Sequence, residues 1–490
     1  MAIELGTRKQ VFIDWSLIDP GYGLPWVGPP TEPKHMPHGV RLAVHPPMVH
    51  PEPILSPQHP WEEVMINIYC TLLQEDGVLR LYYEAYAPQP GGAFMDDAAR
   101  LCLAESTDGL TWQRKMLGLV EYNGARANNI VYAPELPGAK AGHGFTVFKD
   151  PSAPPPERYK LVHGTTLANP GYWRRTQVVM GAVSPDGLRW TPIEEPLLRH
   201  PCDTQTVVQY DAAAGVYRGY FRGLVPSHDE LGRDFKGKGI HGRRVADQAF
   251  TKDFRHWPEP EPALYPEPTD PPDLDIYTPG YVPWPGTTDA HLLFPSCFSR
   301  ATDVMEVHMA TSRDGRTWKR LQRGPILPAG EPGTLGVGGI YAGQGIAAFD
   351  DRWLMPVAPQ EFTHNTFVQS QTPPKDQRGL WITSIRPDGF TSLCADSRGE
   401  CWTFPFVFSG NKLLVNSWAR YGGNVRIGLE DKDGPIAGYG IADCEPLQGD
   451  CMWKPVTWKG NADLSRLAGK QIILRMQLIR VRLHAFRFSD

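Results

Sequence analysis

The sequence predicts an all-β chain, a five-bladed β-propeller followed by a C-terminal β-sandwich. Three observations carry that expectation. A short motif, S-x-D-G-x-x-W, recurs five times along the first four-fifths of the 490 residues. Strand-like runs precede each copy in the same order. After the last copy the rhythm changes to plain alternation of apolar and polar residues, the period of half-buried strands.

The motif is complete at Ser106 to Trp112, Ser184 to Trp190 and Ser312 to Trp318. It is degenerate at Thr251 to Trp257 and at Arg386-Pro387-Asp388-Gly389-Phe390. Its aspartates are spaced by 78, 67, 61 and 74 residues, each enough for a four-stranded antiparallel sheet. Asp-Gly suits a tight turn, the Ser and Asp side chains can bond local amides, and the Trp can fill the wedge beside them. The motif is therefore a folding device, and five copies imply five blades.

The strand runs follow in order. The first unit offers Ile66 to Leu73, Val78 to Tyr83 and Arg100 to Ala104; the second Phe145 to Phe148, Tyr159 to Val162 and Gln177 to Val183. Thr204 to Tyr210 and Val216 to Phe221 belong to the third. Ile276 to Val282, Ala290 to Phe294 and Val307 to Ala310 form the fourth, and Ile346 to Phe349, Trp353 to Val357 and Gly379 to Thr383 the fifth. Residues 1–62 read as an arm rich in proline and histidine (His35, His38, His45, His50, His59), residues 63–395 as the propeller and 396–490 as the sandwich. Val11 to Ile13 is the run expected to close the ring. In the sandwich, Val425, Ile427 and Leu429 alternate with polar residues, as do Ile472, Leu474, Met476 and Leu478.

Composition narrows the function. Hydrophobic residues at 41% and charged ones at 21% suit a globular core, and 49 glycines with 49 prolines suit many turns. A net charge of −5 without a basic run gives no footprint for nucleic acid. No apolar stretch is long enough for a membrane helix, and the start lacks a signal-peptide layout, so a cytoplasmic location without membrane partners is expected. Eight cysteines without CxxC spacing read as buried thiols, with Cys394–Cys401 and Cys444–Cys451 the only pairs spaced for a local bridge. No histidine pair in the arm falls at a tight ligand spacing on a predictable element, so neither a metal nor a cofactor is expected.

The layout resembles glycoside hydrolases of the invertase, levanase and arabinanase type, the family 32/43-like five-bladed propellers, and an uncharacterised bacterial branch among them. The residues that carry it are Pro60-Trp61-Glu62, Ser106 to Trp112 leading into Gly118 to Gly124, Asn128 to Val131, Phe148-Lys149-Asp150-Pro151, and Ser312 to Trp318 leading into Gly324-Pro325. The resemblance implies cleavage of a glycosidic bond in a small carbohydrate. The three acid motifs of invertase-type enzymes are not intact, and Asp150 reads as a turn residue.

In a propeller the first strand of each blade starts, and the second ends, on one face beside the axis. The first-strand starts give Glu62 or Glu63, His143, Asp203, Asp275 with Tyr277, and Tyr341 with Gln344; the second-strand ends give Glu84, His163, Arg222, Ser296, and Glu361 with His364. Hydrolysis needs one protonated and one ionised carboxyl. Asp203, Asp275, Glu62 and Glu361 are the catalytic candidates, with Asp203 first because no turn requires it. Arg222, His163, His143, Tyr277, His364, Asn128, Asn129 and Glu84 are the candidate sugar contacts, and Trp173, Trp284 and Trp381 could stack on sugar rings. A lyase using a His or Tyr base beside an arginine-neutralised uronate, and a non-catalytic sugar-binding propeller, are the alternatives.

Overall fold

A computed structural model of the chain describes residues 3–21, 36–87, 99–167, 177–225, 242–369 and 379–490. His35 and Trp173 lie outside the described residues. The chain divides into two compact units: 46–283 with 291–387, and 1–45 with 284–290 and 388–490.

The larger unit is the five-bladed propeller. Blade 1 runs through Met65–Glu75, Val78–Tyr86, Arg100–Ser106 and Ile130–Tyr132, paired in that order. Blade 2 is His143–Lys149, Tyr159–Thr166, Gln177–Ser184 and Thr191–Pro192. Blade 3 is Val207–Asp211, Val216–Val225, Arg243–Thr251 and Glu261–Leu264. In blade 4 each strand is interrupted, giving Leu274–Thr278 with Tyr281–Pro283, His291–Leu293 with Ser296–Ser299, and Val304–Val307 with Ala310–Ser312. Blade 5 is Gly339–Ala342 with Ala347–Ala348, then Trp353–Gln360 and Trp381–Ile385.

Blade faces alternate apolar side chains into successive seams. Tyr82, Phe145 and Leu161 fill the seam of blades 1 and 2, and Phe148, Val162, Val208 and Phe221 that of blades 2 and 3. Val207, Tyr220, Ile276 and Tyr281 fill the next, while Leu72, Leu81, Tyr341, Leu354 and Ile382 join blade 5 to blade 1. Along the axis the innermost strands bond one another: Leu72 N donates to Gln344 O at 2.7 Å and Gln344 N to Cys70 O at 2.9 Å. Gln205 Nε2 donates to both Cys70 O and Phe145 O at 3.0 Å.

The ring is closed by a strand other than the expected one. Met48–Val49 pairs with Ser384 and Thr383 as the outermost strand of blade 5, and Ile54 and Leu55 bond Leu380. Gln10–Val11 pairs instead with Phe486 and Ala485 in the smaller unit.

That unit is the sandwich. Its long strands Thr391–Trp402, Lys412–Asp431 and Gln471–Ser489 share one sheet and bend together at bulges between Ala395 and Arg398 and between Ala419 and Asn424. Side chains from both ends of these strands meet in one core, including Leu393, Val415, Ile427, Leu474 and Phe486. Residue 395 lies inside the first of these strands. All eight cysteines are buried. Among the described residues no helix is long and apolar enough to cross a membrane, and no group of three His, Cys, Asp or Glu could hold a metal ion.

Candidate active site

Asp203 sits in the turn that brings the chain to the innermost strand of blade 3. That turn is pinned on both sides, by Cys202 N donating to Gln177 Oε1 at 3.2 Å and by the Gln205 amide on the axis. Its carboxylate pairs with Arg222 Nη1, from the second strand of the same blade. The Arg222 side chain is 3% exposed and Asp203 24%, so the carboxylate is the open member of the pair.

The Arg222 guanidinium lies over the ring of Tyr277, 4.3 Å from its centroid. Tyr277 comes from blade 4, where Asp275 precedes it on the same face. His364 packs edge-on to Tyr277 at 4.8 Å, and its Nδ1 meets the Tyr341 hydroxyl of blade 5 at 2.9 Å. Tyr69 of blade 1 lies within electrostatic reach of Tyr277 and Arg222 and stacks on His143 of blade 2 at 6.4 Å. Side chains from five blades thus form one connected group, as the strand-end argument anticipates for Asp203, Arg222, Tyr277, His143 and His364. Burial drives the Tyr69 and Tyr341 hydroxyls well above the usual phenol range, so both stay protonated donors. Burial, with Arg244 and Arg222 nearby, lowers the His364 pKa to about 4, leaving the ring neutral.

Other candidates are consumed by the fold. Asp275 is fully buried and accepts from Arg244 Nη1 at 2.8 Å and from Arg300 Nε and Nη2 at 2.9 Å each, which occupies both oxygens. It organises the arginines and has no lone pair directed at a substrate. Glu62 is likewise buried, accepting from Tyr83 Oη at 2.6 Å, Arg114 Nε at 2.9 Å and Gln58 N at 2.9 Å. Asn129 joins that knot, taking Trp61 Nε1 at 2.9 Å and donating to Tyr83 Oη and Leu103 O. Asn128 donates to Val120 O at 2.8 Å. Glu84 accepts from Phe145 N at 2.8 Å inside the seam of blades 1 and 2. His163 is buried there too, 4.9 Å from the Phe145 ring and 3.4 Å from the Tyr132 hydroxyl. All six of these groups are buried.

Glu361 is exposed just beyond the second strand of blade 5, three residues before His364. Trp381 is buried with its Nε1 on Pro51 O, and Trp284 Nε1 donates to Asp388 at 2.7 Å within the smaller unit, so both are structural. Asp150 is a turn residue, accepting from Ser152 N and Ala153 N.

Three contributors escaped the sequence reading. Arg244 is the second residue of the third strand of blade 3, which begins on the same face as the first and lies outside a rule drawn from first and second strands. Arg300 follows the second strand of blade 4, whose interruption at Phe294 and Pro295 carries it beyond the end expected from an unbroken run. Tyr69 lies four residues into its strand. Asp247 is also notable: burial raises its pKa to about 6, and His200 Nε2 lies 3.6 Å away. Strand alternation puts it on the blade 2 side, away from Arg222 and Arg244.

No family model matches the chain, and no curated protein does. Among solved structures it is similar to a glycoside hydrolase, at 11% identity over 71% of this chain and 93% of the other with a TM-score of 0.47. It is also similar to the β-1,2-mannobiose phosphorylase of Listeria innocua in complex with β-1,2-mannobiose, at 11% identity over 69% and 96% with a TM-score of 0.46. A thermostable family-43 glycoside hydrolase is similar at 11% identity over 67% and 89%, with a TM-score of 0.43. The residue assignments rest on the contacts above.

Proposed function

We propose that the chain is a carbohydrate-active enzyme that cleaves a glycosidic bond in the propeller funnel, with Asp203 as the ionised carboxylate. The observation that carries this reading is the contact of Asp203, Arg222 and Tyr277 where the blades converge: a partly exposed carboxylate paired with a buried guanidinium that is itself seated on an aromatic ring. An ionised carboxylate so placed can act as nucleophile or as the base that activates water. Glu361 is the proton donor in this scheme, because Asp275, Glu62 and Glu84 have their oxygens engaged elsewhere. Tyr69 and Tyr341 hold sugar oxygens as neutral donors.

The test is a panel of aryl glycosides assayed with wild type, Asp203→Asn and Glu361→Gln. Asp203→Asn should lower kcat/KM by a thousandfold or more, since the reacting group is lost. Glu361→Gln should cost roughly 10²–10⁴-fold on substrates with poor leaving groups and far less on dinitrophenyl glycosides, which need no protonation. Turnover by Asp203→Asn within about twofold of wild type would sink the assignment.

One observation favours elimination as a second reading. The neutral His364 and the Tyr277 ring lie beside Arg222 and Arg244, the layout of a base next to a neutralised uronate. An unsaturated product absorbing in the ultraviolet would identify it.

A further inference from the structure

We propose that the sugar bound in this funnel carries a carboxylate, so that the substrate class is a uronic-acid glycoside held by the free edge of Arg244. The inference rests on the reading that the funnel is where sugar binds, but not on which bond is cut. Three guanidiniums, Arg222, Arg244 and Arg300, meet two carboxylates, Asp203 and Asp275, along the edge of blades 3 and 4. Arg300 takes Asp275 through two N–H groups, and Arg244 spends only Nη1 and its backbone amide on the same residue.

Arg244 Nε is buried with no hydrogen-bond partner, and no bond among the described residues engages Nη2. Those two N–H groups form the parallel fork that matches a planar carboxylate. The guanidinium is held for the purpose, lying 5.4 Å from the Tyr277 ring centroid and 5.6 Å from that of Phe298. The Arg222 Nε is also buried without a partner. Burying such donors unpaired is costly, which favours an anionic acceptor in the complex. Among the described residues the next carboxylates, Glu84 and Asp303, are engaged elsewhere. Glu84 is turned to the Phe145 amide, and Asp303 accepts from the Asn365 backbone and side-chain amides at 2.9 and 2.7 Å. The Arg300 side chain beside it is 37% exposed.

The experiment is calorimetric titration of the full chain with galacturonate and glucuronate, with their methyl esters, with galactose and glucose, and with inorganic phosphate. At least one uronate should bind tenfold or more tightly than its methyl ester and its neutral sugar. Arg244→Gln should erase that preference, and Arg244→Lys should restore only part of it, because an ammonium supplies charge without the fork. The ester comparison needs no variant, so an unstable Arg244→Gln leaves the proposal falsifiable. Equal binding of acid and ester, phosphate binding without uronate binding, or no uronate binding at millimolar concentration would overturn it. Arg244-dependent uronate binding without cleavage would instead remove the enzymatic reading alone, and Asp203-dependent cleavage of neutral glycosides without uronate binding would remove this inference alone.

Discussion

Asp203 and Asp275 look alike in the sequence, each an aspartate at the start of an innermost strand, yet they end in opposite roles. What separates them is the number of guanidiniums that reach each one, and those arginines arrive from strands some 20 to 30 residues away. Arg222→Gln should therefore lower activity in the aryl-glycoside assay while leaving Asp203 in place, by removing the guanidinium that pairs with it. Asp247 and His200 make a second residue-scale prediction. Burial raises the Asp247 pKa to about 6, above its ordinary 3.8, so between those values the folded state binds the extra proton and stability falls as pH rises, by about 3 kcal/mol in total. Burial lowers His200 to about 4 from 6.5, so in that window the unfolded state binds the proton and stability rises with pH. The two trends oppose each other over most of the same range. Asp247→Asn should unmask the histidine, giving a denaturation midpoint that drops more steeply below pH 6 than in wild type. An unchanged pH profile would show that Asp247 does not titrate as assigned. No sequence feature distinguishes this aspartate, because its shift comes from desolvation between packed sheets.

At the level of the strand and turn, the repeated motif was legible in full and does more than cap a hairpin. Its serine accepts from the Asp and Gly amides and its aspartate from the next two, as in Ser184 and Asp186. Each complete copy also docks on the preceding blade. Arg80 Nη1 donates to Asp186 O at 2.8 Å and Arg218 Nη1 to Asp314 O at 2.8 Å, while Arg352 Nη2 reaches Asp108 O at 3.3 Å and closes blade 5 on blade 1. The motif glycine is needed for the contact as well as for its backbone. At Gly187, φ is +75° and a Cβ would lie 2.5 Å from the Tyr82 hydroxyl, whereas at Gly77, with φ +78°, it would meet nothing within 4 Å. Gly187→Ala should cost about 2–4 kcal/mol in urea unfolding and Gly77→Ala only about 1, the difference being the overpacked seam. Equal costs would reduce the motif to a turn. The strand interruptions of blade 4 were not legible, since Pro279-Gly280 breaks a run that reads as continuous, and the second strand resumes beyond Pro295, where the run Ala290 to Phe294 reads as ended.

Across the whole molecule, the motif count sufficed to number the blades, but not to say which part of the arm closes the ring. Val11 to Ile13 and Met48–Val49 are both short apolar runs, and the choice depends on edges formed more than 300 residues later, at Thr383 and at Ala485. Val49→Pro should loosen the last sheet of the propeller unit by removing an edge pairing, read as a lower unfolding midpoint and faster proteolysis between residues 46 and 60. The ring is also why the site was partly readable: radial sheets bring one end of each inner strand to a single mouth, so residues hundreds of positions apart could be named together. What the rule omitted were third-strand starts and strands lengthened by bulges, which supplied Arg244 and Arg300. The most direct measurement is a crystal structure of the Asp203→Asn variant with a sugar that the wild type binds. The ring should hold that sugar against residue 203, Arg222 and Tyr277, with Tyr69 and Tyr341 on its oxygens; a sugar bound elsewhere, with this group untouched, would contradict the account.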